Sequence, residues 1–228
     1  MLCFGMRAFL GALAFLALLA PRALAQSPPA SPQNLNSLQN YYWGRELEGQ
    51  GRMAEAVPHY NEVVRVALDE ISRNAATRDT FVLLTRALRR LNRHGEVISW
   101  GRQGLQAFPD EHRLTETMGQ SFFFMGDLDQ SLAYMERYAN AMPDGDRIAL
   151  AYFFMGEILR MTHRYHRADM AYTMAVRIHP NMALWWYRLG SVRERAGDVG
   201  PALEAYRRAL GISPGHGPAL AGVARLDG

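Results

Sequence analysis

The chain repeats itself every 34 residues, and that period decides most of what it can become. Aligned on itself it gives five blocks of 34 residues, 37–70, 78–111, 112–145, 149–182 and 183–216, with only Ile71 to Thr77 and Asp146 to Ile148 between them. The register is clearest in the last two blocks. There Met155-Gly156 aligns with Leu189-Gly190, Ala168 with Ala202, Tyr172 with Tyr206, Ala175 with Ala209 and Pro180 with Pro214. Each aligned type has a packing reason. The glycine lets a second helix approach the first, the alanines sit where helices nearly touch, and the aromatic fills the gap toward the next repeat. The proline ends the second helix because it has no N–H to extend it. Block one carries the matching Trp43-Gly44, Gly51, Ala56 and Tyr60, and block three Met118-Gly119, Gly126-Asp127, Ser131 and Pro143.

This pattern of small, aromatic and proline positions resembles the tetratricopeptide repeat family, and the resemblance covers about four fifths of the chain. It implies an all-α fold, a right-handed superhelical solenoid of antiparallel helix pairs, that works by holding another polypeptide. Block two is the poorest match. Thr85 stands in the glycine slot, Val97 in an alanine slot, and Gly101 and Gly104 replace the large aromatic and an alanine. Glycine inside a helix costs about 1 kcal/mol against alanine, so this hairpin is expected to be the loosest. Block one has Leu68 where proline is usual, and Pro58 within its second helix is expected to bend it. After Pro214, residues 217–228 place Leu220, Val223 and Leu226 at helical spacing, a short cap for the last hairpin.

The N-terminal 25 residues stand apart from the repeat. Arg7 precedes an apolar run of 13 residues, Ala8 to Ala20, then Pro21, and Ala23-Leu24-Ala25 supplies the small residues a signal peptidase needs. The expectation is a signal peptide cleaved after Ala25 and export to the periplasm or the medium; retention as an anchor is the alternative, although the run is short of the roughly 20 residues of a spanning helix. Cys3 lies ahead of the apolar run, where no lipid-anchored cysteine would be. Residues 26–36, with three prolines and many small polar side chains, are expected to be a flexible linker.

Removing the leader has chemical consequences. Losing Arg7 and Arg22 lowers the formal net charge from +3 to +1, and the only cysteine goes with them. A near-neutral surface argues against nucleic-acid binding, which needs several phosphate-neutralising side chains on one face. A chain without cysteine builds no disulfide or thiolate metal site. No second long apolar run follows, so no membrane insertion is expected after cleavage. All 25 basic residues are arginine; a GC-rich coding sequence accounts for that more simply than arginine chemistry does.

In the family, the first helix of each hairpin lines the concave wall, and its outward positions fall near the second, fifth, ninth and twelfth residues of a block. The resemblance therefore implies a partner-binding face of Tyr41, Arg45 and Glu48; Val82, Arg86 and Arg89; Glu116, Gln120 and Phe123; Phe153, Glu157 and Arg160; and Tyr187, Ser191 and Glu194. Rings offer rigid contact area and guanidinium groups pair with carboxylates in bidentate fashion, the mixture that peptide-binding surfaces favour. Phe123 and Phe153 have a second reading as interhelical packing. Arg86 and Arg89, at i and i+3 on one helix face, are the candidates for an acidic or C-terminal carboxylate group, against the alternative of a solvated face with salt bridges. Chaperone-binding members clamp a terminal carboxylate with lysine and asparagine at the fifth and ninth positions. Here those positions hold Tyr41 and Arg45, then Val82 and Arg86, so a chaperone-tail partner is not implied.

Little else offers chemistry. His163 and His166 are three residues apart, but Arg164 and Arg167 beside them disfavour a cation and no carboxylate adjoins. No nucleophile motif, phosphate loop or carboxylate pair stands out. The expected function is a non-catalytic protein-interaction scaffold or adaptor in the bacterial envelope, holding a peptide or helix of a partner, with no cofactor and no metal. The alternative is a self-associating structural subunit, a homo-oligomer driven by the thinly capped C-terminal end.

Overall fold

A computed structural model of the protein describes residues 31–227. Five helical hairpins follow one another, and among the described residues there is no strand. They pair α1 (Ser37–Gly49) with α2 (Met53–Ser72), α3 (Arg78–Arg90) with α4 (His94–Ala107), and α5 (His112–Met125) with α6 (Leu128–Ala141). Then come α7 (Ile148–Met161) with α8 (Tyr165–Ile178), and α9 (Ala183–Ala196) with α10 (Val199–Ile212). A single helix, α11 (Gly217–Leu226), packs on α10 and α9 as the first helix of a sixth hairpin would.

Local chemistry explains where the helices stop. The last four second helices end two residues before a proline, at Pro109, Pro143, Pro180 and Pro214. In the first hairpin Leu68 takes that place, and α2 runs on to Ser72 for 20 residues where the other second helices have 14. It passes unbroken through Pro58, whose missing N–H forfeits one bond, to the carbonyl of Ala54. The turn inside each hairpin needs one left-handed residue, and it falls at the same place every time. Gly51, Asn92, Gly126, His163 and Gly197 have φ between 57° and 88°.

Two helices of a hairpin meet at one close contact. Gly44, Gly156 and Gly190 each lie under the ring of Tyr60, Tyr172 or Tyr206, where an added Cβ would come within 2.6 Å of the ring. The three rings are fully buried. In hairpin two the roles are exchanged: Thr85 is on the first helix and Gly101 on the second. A Cβ on Gly101 would lie 2.5 Å from Met118 Sδ, and one on Gly104 would lie 2.6 Å from Leu114 Cδ1. Side chains of α5 thus occupy the room of the missing aromatic, while α3 and α4 touch each other less than the two helices of any other hairpin, as the glycines had suggested.

The array also curves. First helices touch the next first helices, α1 on α3, α3 on α5, α5 on α7 and α9 on α11, while no second helix makes a comparable contact with the next second helix. The first helices therefore form the inner wall.

The segment before α1 differs from expectation where it is described. Residues 31–36 are held, not free. Pro32–Asn34 form a 3-10 turn against α2. The buried amide of Asn40 donates to the carbonyls of Pro32, Leu35 and Asn36 at 2.9–3.2 Å, and its oxygen lies 2.8 Å from His59 Nδ1. Asn36 completes a capping box with Gln39. The signal peptide and the earlier part of the linker lie outside the described residues.

Gly156→Ala and Gly190→Ala are expected to destabilise the protein by about 1–3 kcal/mol each, as overpacking does. Gly211→Ala, with nothing within 4 Å of the new Cβ, is expected to stabilise it by up to about 1 kcal/mol. Thermal unfolding followed by circular dichroism ranks the three; a neutral Gly156→Ala would remove this contact as a determinant of the fold.

Candidate functional site

The inner wall is built around glutamates. Tyr60 Oη donates to Glu48 at 2.8 Å, Tyr172 Oη to Glu157 at 2.6 Å and Tyr206 Oη to Glu194 at 2.5 Å. Burial, with the glutamate beside it, pushes each phenol well above its ordinary value, so all three stay protonated donors. An arginine from the next first helix closes each pair: Arg90 on Glu48, Arg188 on Glu157 and Arg225 on Glu194, each at 2.9 Å. Arg160 adds a second cation to Glu157 at 2.8 Å. A fourth link, Arg147 on Glu116 at 2.9 Å, joins α5 to the start of α7, with Gln120 also donating to Glu116. Arg147 Nε and Arg188 Nε reach their glutamates without the alignment of a hydrogen bond, so these two contacts are charge pairs only.

These links place the expected binding residues. Glu116, Gln120 and Glu157 are buried, Glu116 to 1% exposure, inside the ties between hairpins, and Arg160 is spent on Glu157. Val82, 2% exposed, sits in the core with Phe81 and Leu114 and offers a ligand no surface, which corrects its assignment to the binding face. It points between helices as the fifth position does throughout: Tyr41 and Glu116 are buried there too, and Phe153 and Tyr187 are half-buried. Phe123 and Phe153 take the packing reading: Phe123 lies edge-on to Phe154 at 5.1 Å, and Phe153 stacks on Trp185 at 5.0 Å. Tyr41 is buried against Tyr60, and Tyr187 is half-buried between Tyr206 and His216.

Three of the expected residues remain without an acid. Arg45, Arg86 and Arg89 form no ion pair or side-chain hydrogen bond among the described residues, and all three belong to the first helices of hairpins one and two. Arg89 is the most enclosed. Burial and the like charge of Arg90 pull its guanidinium down to about 10, still cationic at neutral pH, and Glu116, the acid that acts on it, is already tied to Arg147. The sequence reading missed the arginines that close the ladder, Arg147, Arg188 and Arg225. A signal was present: each lies 31 residues after its glutamate, at 116, 157 and 194. Among the described residues no three His, Cys, Asp or Glu side chains gather as a metal site. No described helix is long and apolar enough to cross a membrane.

A family model described as tetratricopeptide repeat matches residues 155–216. Similar solved structures include YrrB, described as a tetratricopeptide protein with an unusual peptide-binding site, at 16% identity over 82% of this chain and 91% of that one, TM-score 0.57. Its described residues have the tetratricopeptide-repeat fold. MamA from Desulfovibrio magneticus RS-1, from its residue 41 to the end, is 16% identical over 79% of this chain and 97% of that one, TM-score 0.58. The Cut9–Hcn1 hetero-tetramer of APC/C aligns at 15% identity with 84% of this chain and 36% of that one, TM-score 0.64. Identities of this size establish the fold alone. No curated protein matches the sequence.

Two histidines make this array sensitive to acid. Burial lowers His59, and burial with the neighbouring charge of Arg89 lowers His94, so both are neutral in the folded protein at pH 7. The unfolded chain takes up protons near the ordinary value of 6.5 before the folded one does. Stability is therefore full above about 6.5 and lost as pH falls through the lower folded values. Glu62 and Glu194, held by Arg65 and Arg225 below their ordinary 4.5, titrate in a separate, more acid window. Melting temperatures between about pH 8 and pH 5 are expected to show this decline, and His59→Gln with His94→Gln to flatten it; a decline unchanged in that variant would assign it to other groups.

Proposed function

We propose that the protein is a non-catalytic adaptor whose inner wall holds an acidic segment of a partner polypeptide, seated on Arg45, Arg86 and Arg89. The observation that carries this reading is the division of the wall. In hairpins four and five every inner-wall arginine named above is closed on a glutamate, whereas hairpins one and two keep three guanidinium groups without an acid. A cation as enclosed as Arg89 loses hydration without gaining a partner, and a carboxylate supplied by a ligand restores the balance. Peptide binding by YrrB, a structural neighbour, supports the class of partner.

The leader adds an address. Its Arg7 ahead of a 13-residue apolar run and its Ala23-Leu24-Ala25 motif support export, so the adaptor works in the bacterial envelope, in the periplasm or beyond. Two measurements test the two halves of this proposal. Mass spectrometry of protein recovered from the periplasmic fraction is expected to find the N-terminus at Gln26, free or cyclised to pyroglutamate; recovery of full-length chain in the cytosol would refute export. Fluorescence polarisation with peptides rich in aspartate and glutamate, against amidated neutral controls, tests the wall. Arg86→Glu with Arg89→Glu is expected to weaken acidic-peptide binding by about tenfold or more, since a charged contact contributes about 1.5–3 kcal/mol, with helicity unchanged. Equal binding by wild type and variant, or equal binding of neutral peptides, would overturn the reading.

A further inference from the structure

Away from the inner wall, at the edge where the turns within hairpins lie, two depressions share one arginine. The first is a cleft of about 490 Å³ between the start of α8 and the end of α9, lined by His163, Arg164, Tyr165, His166, Arg167 and Arg195. No carboxylate lines it. Its cations are only lightly engaged: Arg164 Nε donates to Thr162 Oγ1 at 3.0 Å, Arg195 lies 5.9 Å over the Tyr165 ring, and Arg167 reaches Glu136 at 3.3 Å. Adjoining it, a groove of about 200 Å³ runs between α7 and α8, lined by Arg167 with Tyr152, Met155, Leu159, Met170 and Met174. Met170 is 68% exposed and Met174 is exposed beside it.

The cleft breaks a charge rule that the other hairpins keep. Where a second helix begins with arginine, in hairpins one and two, that arginine folds onto a glutamate three residues on, Arg52 onto Glu55 at 2.7 Å and Arg93 onto Glu96 at 2.6 Å. Hairpins three and five begin the helix with Asp127 and Asp198. Hairpin four has Arg164 and, three residues on, Arg167, so two cations meet at a helix start that no side chain caps. The positive end of the helix adds to their repulsion. An anion bound there relieves all three, and the methionine groove gives apolar atoms attached to that anion a flexible, polarizable surface.

We propose that the two depressions together bind an anionic amphiphile, its phosphate ester head in the arginine cleft and its apolar chain along the methionine groove. The charge complementarity sets the head, the shared Arg167 sets the point where head joins chain, and the exposed methionines set the chain. Free single-chain phosphates and phospholipids in a bilayer carry the same chemistry, and the experiment separates them.

Isothermal titration of the full protein with monomeric decyl phosphate is compared with inorganic phosphate and with decyl maltoside, and sedimentation with vesicles of phosphatidylglycerol is compared with phosphatidylcholine vesicles. Decyl phosphate is expected to bind about tenfold or more tighter than either partial probe. Cosedimentation with phosphatidylglycerol vesicles alone would identify the source as bilayer lipid; binding of decyl phosphate without cosedimentation would identify a free amphiphile. Arg164→Gln with Arg195→Gln, and separately Met170→Gln, are each expected to weaken decyl phosphate binding, with melting temperature near wild type. Met170 is exposed, so its variant stays informative if the arginine variant folds poorly. Equal affinity for inorganic phosphate, equal affinity for decyl maltoside, or variants that bind as wild type would each overturn the proposal.

Discussion

Everything in this molecule is keyed to the close approach of a glycine on one helix of a hairpin to a large side chain facing it. Four of the five hairpins place that glycine on the first helix, Gly44 facing Tyr60, Gly119 facing Met135, Gly156 facing Tyr172 and Gly190 facing Tyr206, while in hairpin two the glycine is Gly101 on the second helix and meets Met118 of the next hairpin. Removing a Cβ there lets two helices come closer than side-chain packing otherwise allows, which fixes the geometry of the hairpin. Where the large side chain is tyrosine, its hydroxyl lands on the inner wall and needs an acceptor, because a buried hydroxyl without one is costly. A glutamate supplies it, and the glutamate in turn recruits an arginine from the following hairpin. One steric requirement inside a repeat thereby becomes an electrostatic tie between repeats.

That chain of cause distributes charge unevenly along the wall. Glutamates held by a tyrosine and closed by an arginine have nothing left to offer a ligand, and the same holds for the arginines that close them. The tie also bears on cooperativity. Repeat arrays gain their stability from neighbour interfaces, and a Glu–Tyr–Arg cluster spans three of them, two between hairpins and one between hairpin five and α11. A substitution at Glu157 therefore touches Tyr172, Arg160 and Arg188 together and cannot be read as the loss of a single ion pair.

The fold was legible in the sequence because its signals are local. Left-handed turn residues recur at one block position, and proline stops recur at another, so α2 outlasts the other second helices for the visible reason that Leu68 is not proline. The wall was only partly legible. A block position predicts a helix face within one hairpin, but whether that face meets solvent depends on what packs against it: Tyr41, Val82 and Glu116, all at the fifth position, are buried by neighbouring helices that a single block does not contain. Phe123 and Phe153 carry the type of residue a binding surface favours and are taken up by Phe154 and Trp185 instead. The order of residues 31–36 was hidden for a similar reason. Their composition reads as linker, and the group that holds them is the side chain of Asn40, one helical turn into the repeat.

The unpaired charge on the wall and the most irregular repeat are one feature. In hairpin two the tyrosine slot is Gly101, so no phenol reaches the wall, and α3 contains no glutamate for a phenol to meet. Without that anchor Arg86, Arg89 and Arg90 have no glutamate on their own helix to close upon. Arg90 turns back to Glu48 of hairpin one, while Arg86 and Arg89 are left, the latter enclosed beside a like charge. A local rule broken without a stabilising return is where function is sought first. Met118 fills the steric half of the deficit from the neighbouring hairpin, so the packing closes and only the charge stays open. Selection for stability alone would close both, since an acidic side chain on α3 would do for Arg89 what Glu157 does for Arg160 and Arg188. A repeat whose wall keeps its charge open while its core is filled from the neighbouring hairpin is what the proposed acidic partner segment requires.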